Sequence, residues 1–227
     1  MYFSRIRIDI QSATPEDLET FAKVNAYGIH QILWRLFPNA GEAKRDFLYR
    51  IESHNELPFF YMVSKRRPVS LGKLLKVETK PYTPQLYKGQ RLTFSLKVNP
   101  VVTKKHPATG KRLRHDVIMD AKYGLTRPFS TNTELSTTEL EYKEGIKWLA
   151  DRSANLGFEF GFDMVQVFGY HQHVFKKKNQ KNAIRFSTLD YYGELTVIEP
   201  DRFYQTLAKG IGPAKAFGCG LMLLRRI

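Results

Sequence analysis

Tyr2, Ser4, Ile6, Ile8 and Ile10 share one parity at the start of the chain, while Arg5, Arg7 and Asp9 hold the other. That period-2 alternation predicts a strand with one buried face. Thr14-Pro15-Glu16-Asp17 then reads as a helix start, with Thr14 at the N-cap, proline at the first helical position and acids in the first turn. The helical region is broken near Asn25 to Gly28. Within YGIHQILWRLFP, residues Ile29, Leu33, Leu36 and Phe37 recur at helical spacing until Pro38 and Asn39 end the run. A short helix is expected from about Glu42 to Ile51, before the strand-like PFFYMVS. LGKLLKVET and RLTFSLKVN are the next strand patterns, the second introduced by the turn residues Lys88-Gly89-Gln90.

Pro100 disfavours helix at Asn99, and a basic stretch containing Gly and Pro follows, so a boundary is expected there, giving domains of residues 1–100 and 101–227. In the second half, Ser136 to Asn155 predicts a helix. Ser136-Thr137-Thr138-Glu139 resembles a capping box, Leu140, Ile146, Trp148 and Leu149 supply the apolar positions, and Gly157 suits the C-terminal cap. Strand patterns FEFGFDMVQVFG, HQHVF and AIRFSTLDYYGELTVIE, a helix starting near Pro200-Asp201, and a last strand in LMLLRRI complete the half. The expected class is α+β, two βαββαβ units in tandem. In the first unit no second helix is visible before RLTFSLKVN.

Composition narrows the function classes. The 227 residues are 42% apolar and 13% aromatic, enough for a core and against disorder. Cys219 is the only cysteine, which excludes an intramolecular disulfide and any Cys-based zinc or iron–sulfur site. No window is apolar enough to span a membrane, and charges interrupt the N-terminus where a signal peptide needs an apolar stretch, so a soluble, cytoplasmic protein without membrane contact is expected. Against 22 Asp+Glu stand 36 Lys+Arg, a net charge of +14 that points to a polyanion.

The positive charge is clustered. Lys65-Arg66-Arg67 is one concentration. A second is KKHPATGKRLR, which carries Lys104, Lys105, Lys111, Arg112 and Arg114 around the turn-like Ala108-Thr109-Gly110. The third comprises Lys176, Lys177, Lys178, Lys181 and Arg185, lying between two strand patterns with no acid from His171 to Arg185. Such lysines can cap a hairpin that tracks a phosphate backbone, or form a solvated loop. GIGPAKAFGCG, Gly210 to Gly220, sets four glycines around Lys215 before an apolar strand. It suits a phosphate contact or a tight structural loop, and it is not a P-loop, because no Gly-Lys-Ser/Thr occurs. Among six histidines, His115-Asp116 is an isolated dipeptide, and His171 with His173 offers too few ligands among too many cations for a metal. His30 differs. Tyr27 precedes it by three and Arg35 follows by five, residue types suited to acid–base work on a phosphodiester.

YGIHQILWRLFP, then KRDFLYRIE, with the terminal GIGPAKAFGCGLMLL, resemble the CasE family, the CRISPR repeat-processing endoribonucleases of type I-E Cascade complexes. The resemblance implies two tandem ferredoxin-like (RRM-like) domains, and a CRISPR repeat hairpin in precursor RNA as substrate. It implies cleavage at the hairpin's 3′ base without metal or cofactor, and retention of the product with other Cascade subunits. By that resemblance His30 falls on the catalytic histidine, Tyr27 on a tyrosine found three residues before it, and Arg35 near a basic position. Lys176 to Lys181 fall on a basic hairpin that enters the stem's major groove, and Lys215 falls in the glycine-rich loop.

Two other classes fit the charge. A non-catalytic RNA-binding protein of RRM or ribosomal type would stack bases on sheet aromatics, although GFDMVQVF is a poor match to the RRM aromatic motif. A metal-dependent nuclease needs clustered carboxylates, and the acids here are dispersed.

Overall fold

The computed structural model describes residues 1–24, 26–37, 45–54, 57–70, 72–106, 108–125, 136–175 and 183–227. The first sheet is built from β1 (Tyr2–Ile8), β2 (Phe47–His54), β3 (Leu57–Ser64) and β4 (Leu75–Pro81), in the antiparallel order β2-β3-β1-β4. Two helices, α1 (Pro15–Ala22) and α2 (Ala26–Trp34), connect β1 to β2. Thr14 caps α1 as its sequence predicts, its hydroxyl accepting from the Asp17 N–H while the Asp17 carboxylate accepts from the Thr14 N–H. The alternation in β1 puts Ile6 under the helices beside Phe60 and Met62, where Phe21, Leu33 and Leu36 close the core. Arg5 and Arg7 point to the other face and pair with Glu78. Each fully buried side chain of this kind contributes about 1.5–3 kcal/mol.

The helix expected over Glu42 to Ile51 is corrected. Residues 38–44 lie outside the described residues, and from Phe47 the chain is strand β2. Phe47 and Tyr49 face the helices, whereas Leu48 packs on the opposite face with Val63 and Leu221. A strand buried on both faces loses its alternation, and its apolar run then resembles a helix segment.

The second sheet contains β5 (Arg91–Val98), β8 (Phe158–Glu159), β9 (Val165–Phe175), β10 (Ile184–Val197) and β11 (Met222–Arg226), and a separate hairpin of β6 (Val101–Lys105) and β7 (Arg112–Asp116) follows β5. The sheet's order is β11-β5-β10-β8, with β9 also on β10. Helices α3 (Val117–Leu125) and α4 (Thr137–Leu156) precede β8, and α5 (Pro200–Lys209) precedes β11. With β8 and β9, which both pair with β10, counted together as one second strand, both sheets read fourth, first, third, second strand within the unit, the ferredoxin-like arrangement. In the first unit the link from β3 to β4 has no helix among the described residues. A division at residue 100 groups RLTFSLKV with the first half, yet β5 pairs with β10 and β11. Sheet membership therefore changes between Pro81 and Arg91, and a division at residue 100 would part β5 from both its neighbours. The reason is pairing at long range, invisible to local pattern.

Ser136 and Glu139 form the capping box of α4, and Gly157, at φ 89°, closes it. Helix α3 has no counterpart among the sequence expectations; Asp116 starts it, Oδ1 accepting from the N–H groups of Ile118 and Met119 at 2.8 and 2.9 Å. FEFGFDMVQVFG is broken by a 3-10 turn at Phe162–Met164, while HQHVF continues β9 without a break. Gly169, at φ 67°, lets β9 pass the irregular register opposite Thr188 and Asp190. Trp148, Leu149, Phe158, Tyr191 and Phe203 fill the core between this sheet and its helices. Gly193 has no room for a side chain, since a Cβ there would lie 2.2 Å from the Met164 carbonyl oxygen. Gly193→Ala is expected to destabilise the protein by about 2–4 kcal/mol, read as a lower denaturant midpoint.

The faces turned away from the helices meet. Leu48 and Val63 of the first sheet contact Leu221 and Leu223, and buried Arg50 reaches Asp190 across the junction at 3.8 Å. Among the described residues no helix is long and apolar enough to cross a membrane.

Candidate active site

Helix α2 lays His30 on β2, its ring centroid 5.8 Å from Phe47, 6.4 Å from Tyr49 and 5.9 Å from Trp34. Tyr27, one turn earlier, shares that end of the helix. The glycine-rich segment comes to the same place from the far end of the chain. Its 3-10 turn, Lys215–Phe217, packs on α2 and β2, and the Tyr49 hydroxyl donates to the Ala216 carbonyl at 2.8 Å. Backbone bonds pin the loop's base. The Gly220 N–H donates to the Lys97 carbonyl at 2.7 Å, and the Ile211 N–H to the Gly220 carbonyl at 2.9 Å. At φ 91°, and with a Cβ position 2.6 Å from the Ile211 carbonyl oxygen, residue 220 must be glycine.

This packing changes the charges. Burial lowers the pKa of the Lys215 ammonium, and the nearby positive charge of Arg45 lowers it further. Burial also lowers the Arg45 pKa, against the opposing influence of Tyr49, whose own phenol is pushed up by burial. The Cys219 thiol is pushed up to about 12 by burial and is no nucleophile. An imidazole, a phenol and two cations thus gather where the glycine-rich loop of the second unit packs on α2 and β2 of the first.

Arg35 is not one of those cations. It lines the crevice between α2 and α1 with Asp17, Phe21, Gly28 and Gln31. A five-residue offset turns it about 140° around the helix from His30, whereas Arg45 and Lys215 lie near Tyr49, on which His30 packs. Arg45 stands in KRDFLYRIE, but only the return of the strand shows where it lands.

Of the basic residues, Lys104 and Lys105 on β6 and Lys111, Arg112 and Arg114 on or beside β7 are exposed; Lys104 also pairs with Asp120. The β9 and β10 ladder closes at Phe175 opposite Ile184, so residues 176–183 connect two antiparallel neighbours. Lys176, Lys177, Lys178 and Lys181 themselves lie outside the described residues. Arg114, Arg185, Pro213, Ala214 and Phe217 line one cavity of about 550 Å³, which brings the second and third basic concentrations to the glycine-rich loop. Asp116 is structural: besides capping α3, its Oδ2 accepts from Tyr170 at 3.2 Å and from Ser187. His173 hydrogen-bonds Thr188 at 2.9 Å, and burial lowers its pKa, aided by His171 and Lys97.

Comparison with known proteins bears on this arrangement. The sequence profile of the family described as CRISPR associated protein matches residues 1–226. The CRISPR system Cascade subunit CasE of Escherichia coli strain K12 is 30% identical over 200 residues, 87% of this chain and 90% of that one. The chain belongs to the CasE family of CRISPR-associated proteins. A second CasE relative, the CRISPR-associated endoribonuclease Cse3 of Thermus thermophilus, is 29% identical over 214 residues, covering 87% of this chain and 89% of its own. The structure of CRISPR endoribonuclease Cse3 bound to a 19 nt RNA superposes with a TM-score of 0.71 at 25% identity, over 99% of this chain and 100% of that one.

Proposed function

We propose that this CasE-family chain is an endoribonuclease that binds the hairpin of a CRISPR repeat in precursor RNA and cuts at the hairpin's 3′ base. It then keeps its product as a Cascade subunit in the cytoplasm. The observation that carries the reading is the meeting of His30 and Tyr27 on α2 of the first ferredoxin-like unit with the Lys215 turn of the second. A named Cascade subunit and a named endoribonuclease among the relatives support it.

Cleavage uses the RNA's own 2′-OH. Its oxygen forms a bond to phosphorus as the bond from phosphorus to the 5′-oxygen breaks; one proton leaves the 2′-OH and another is delivered to the departing oxygen. His30 serves one of these transfers, and Tyr27 hydrogen-bonds the reacting group. Lys215 and Arg45 offset the charge that builds on the pentacoordinate phosphate, which is worth more in a partly desolvated site. Products with 2′,3′-cyclic phosphate and 5′-hydroxyl ends are expected, formed equally well in EDTA. End analysis of labelled hairpin products checks this, and a strict need for added Mg²⁺ or Mn²⁺ would count against it.

Lys215 adds a pH dependence. Its charged form is the useful one, and its pKa is lowered, so the rate falls as pH rises through that lowered value. Lys215→Met is expected to slow single-turnover cleavage by about 10–100-fold at neutral pH. Lys215→Arg keeps its charge at every accessible pH and is expected to retain activity while losing the alkaline fall. An unchanged alkaline limb in the arginine variant would remove Lys215 from that role.

A further inference from the structure

Between the sheets, next to the catalytic helix, lies a crevice of about 300 Å³ whose lining includes Ala26, Ser53, Lys97, His173, Phe186 and Phe217. Ala26 opens α2 four residues before His30, so the crevice begins one helical turn along the face that carries the histidine. One wall is a continuous ring stack. His173 lies on Phe186 at 4.7 Å with planes 18° apart, and Phe186 on Phe217 at 5.0 Å with planes 21° apart. None of these rings belongs to a hydrophobic core among the described residues; all three are half-buried and border open volume on two sides.

The charges around the crevice are already matched. Lys97 sits 3.3 Å from Asp190, and Glu52 pairs with Arg50. Among the described residues lining the crevice, the one Lys or Arg, Lys97, thus already has a carboxylate partner, and a phosphate there also meets Glu52. What remains for a ligand is aromatic surface beside the Ser53 hydroxyl, with Thr188 held by His173. The volume is at the lower end of the ~300–1,000 Å³ found for small-ligand sites.

We propose that this ring-walled crevice is a nucleobase subsite, taking one unpaired base of the RNA next to the scissile phosphate. The inference rests on the endoribonuclease reading and deepens it. Base stacking tolerates any base, so the subsite fixes where the strand leaves the stem without reading sequence, and holds the scissile linkage beside His30. Phe217 couples the two functions, because the turn that presents its ring also carries Lys215.

The test uses hairpin RNAs with deoxyribose at the cut nucleotide, which blocks cleavage, and 2-aminopurine replacing each flanking unpaired base in turn. Wild-type protein is expected to quench the fluorescence strongly at one position, and Phe186→Leu and Phe217→Leu are expected to abolish that quenching. Each leucine variant is expected to weaken binding about 5- to 30-fold. An abasic residue at the same position should cost the wild type a similar factor, a measurement that depends on no variant folding, and should cost the variants almost nothing further. Tight binding with no quenching at any flanking position, or an abasic loss undiminished in the leucine variants, overturns the subsite and leaves the endoribonuclease reading standing. Failure of the wild type to bind or cut the unmodified hairpin overturns both.

Discussion

His30→Ala is expected to abolish cleavage of the repeat hairpin, slowing the single-turnover rate by at least the ~10²–10⁴-fold contributed by a positioned acid or base. Hairpin affinity should stay within about threefold, because a group that acts only on protons in flight adds little to ground-state binding. Loss of the side chain also removes ring contacts to Phe47, Tyr49 and Trp34. A His30→Gln variant, which keeps most of the volume, separates chemistry from packing and is expected to be equally slow. Rate and affinity measured on the same labelled hairpin check both halves. Cleavage by either variant at near wild-type rate removes His30 from the mechanism.

Replacing Lys176, Lys177, Lys178 and Lys181 together by Ala should weaken hairpin binding by about 2–4 kcal/mol, taking roughly 0.5–1 kcal/mol for each partly screened contact. The pairing of Phe175 with Ile184 makes their segment the link between two long antiparallel strands, with Arg185 at its base. A ribbon of that width can follow the phosphates bordering the deep, narrow major groove of an A-form stem. Each lost phosphate contact should also lower the slope of log K against log salt by up to about one unit. Single-turnover cleavage at saturating enzyme should survive far better, since His30 and Lys215 lie on other elements. Wild-type affinity and slope in the quadruple variant would show the lysines to be a solvated loop, and would direct attention to Lys104, Lys105, Lys111, Arg112 and Arg114.

Legibility differed from element to element for physical reasons. The capping boxes of α1 and α4 were readable because a cap is a contact over three residues, and β1 because one of its faces is buried and the other carries Arg5 and Arg7. Strand β2 read as a helix because it is covered on both sides. His30 and Tyr27 were visible as a spacing on one helix. Arg35 belongs to the same spacing but lines the crevice between α1 and α2, and the cations near Tyr49 stand 15 and 185 residues from His30 along the chain, at Arg45 and Lys215.

By itself, then, the amino-acid order determined what short-range physics controls: which segments alternate or cap, that the chain is α+β, that it carries an excess of 14 positive charges, and which histidine has a tyrosine one turn away. Tertiary structure decided everything that depends on bringing distant backbone together. It assigned β5 to the second sheet and folded the glycine-rich loop onto β2 through Tyr49 and Ala216. It lowered the Lys215 pKa by burial and aligned His173, Phe186 and Phe217 into one stack. Burial and long-range pairing are properties of the folded chain, because a residue's desolvation is set by neighbours that its own sequence window does not contain.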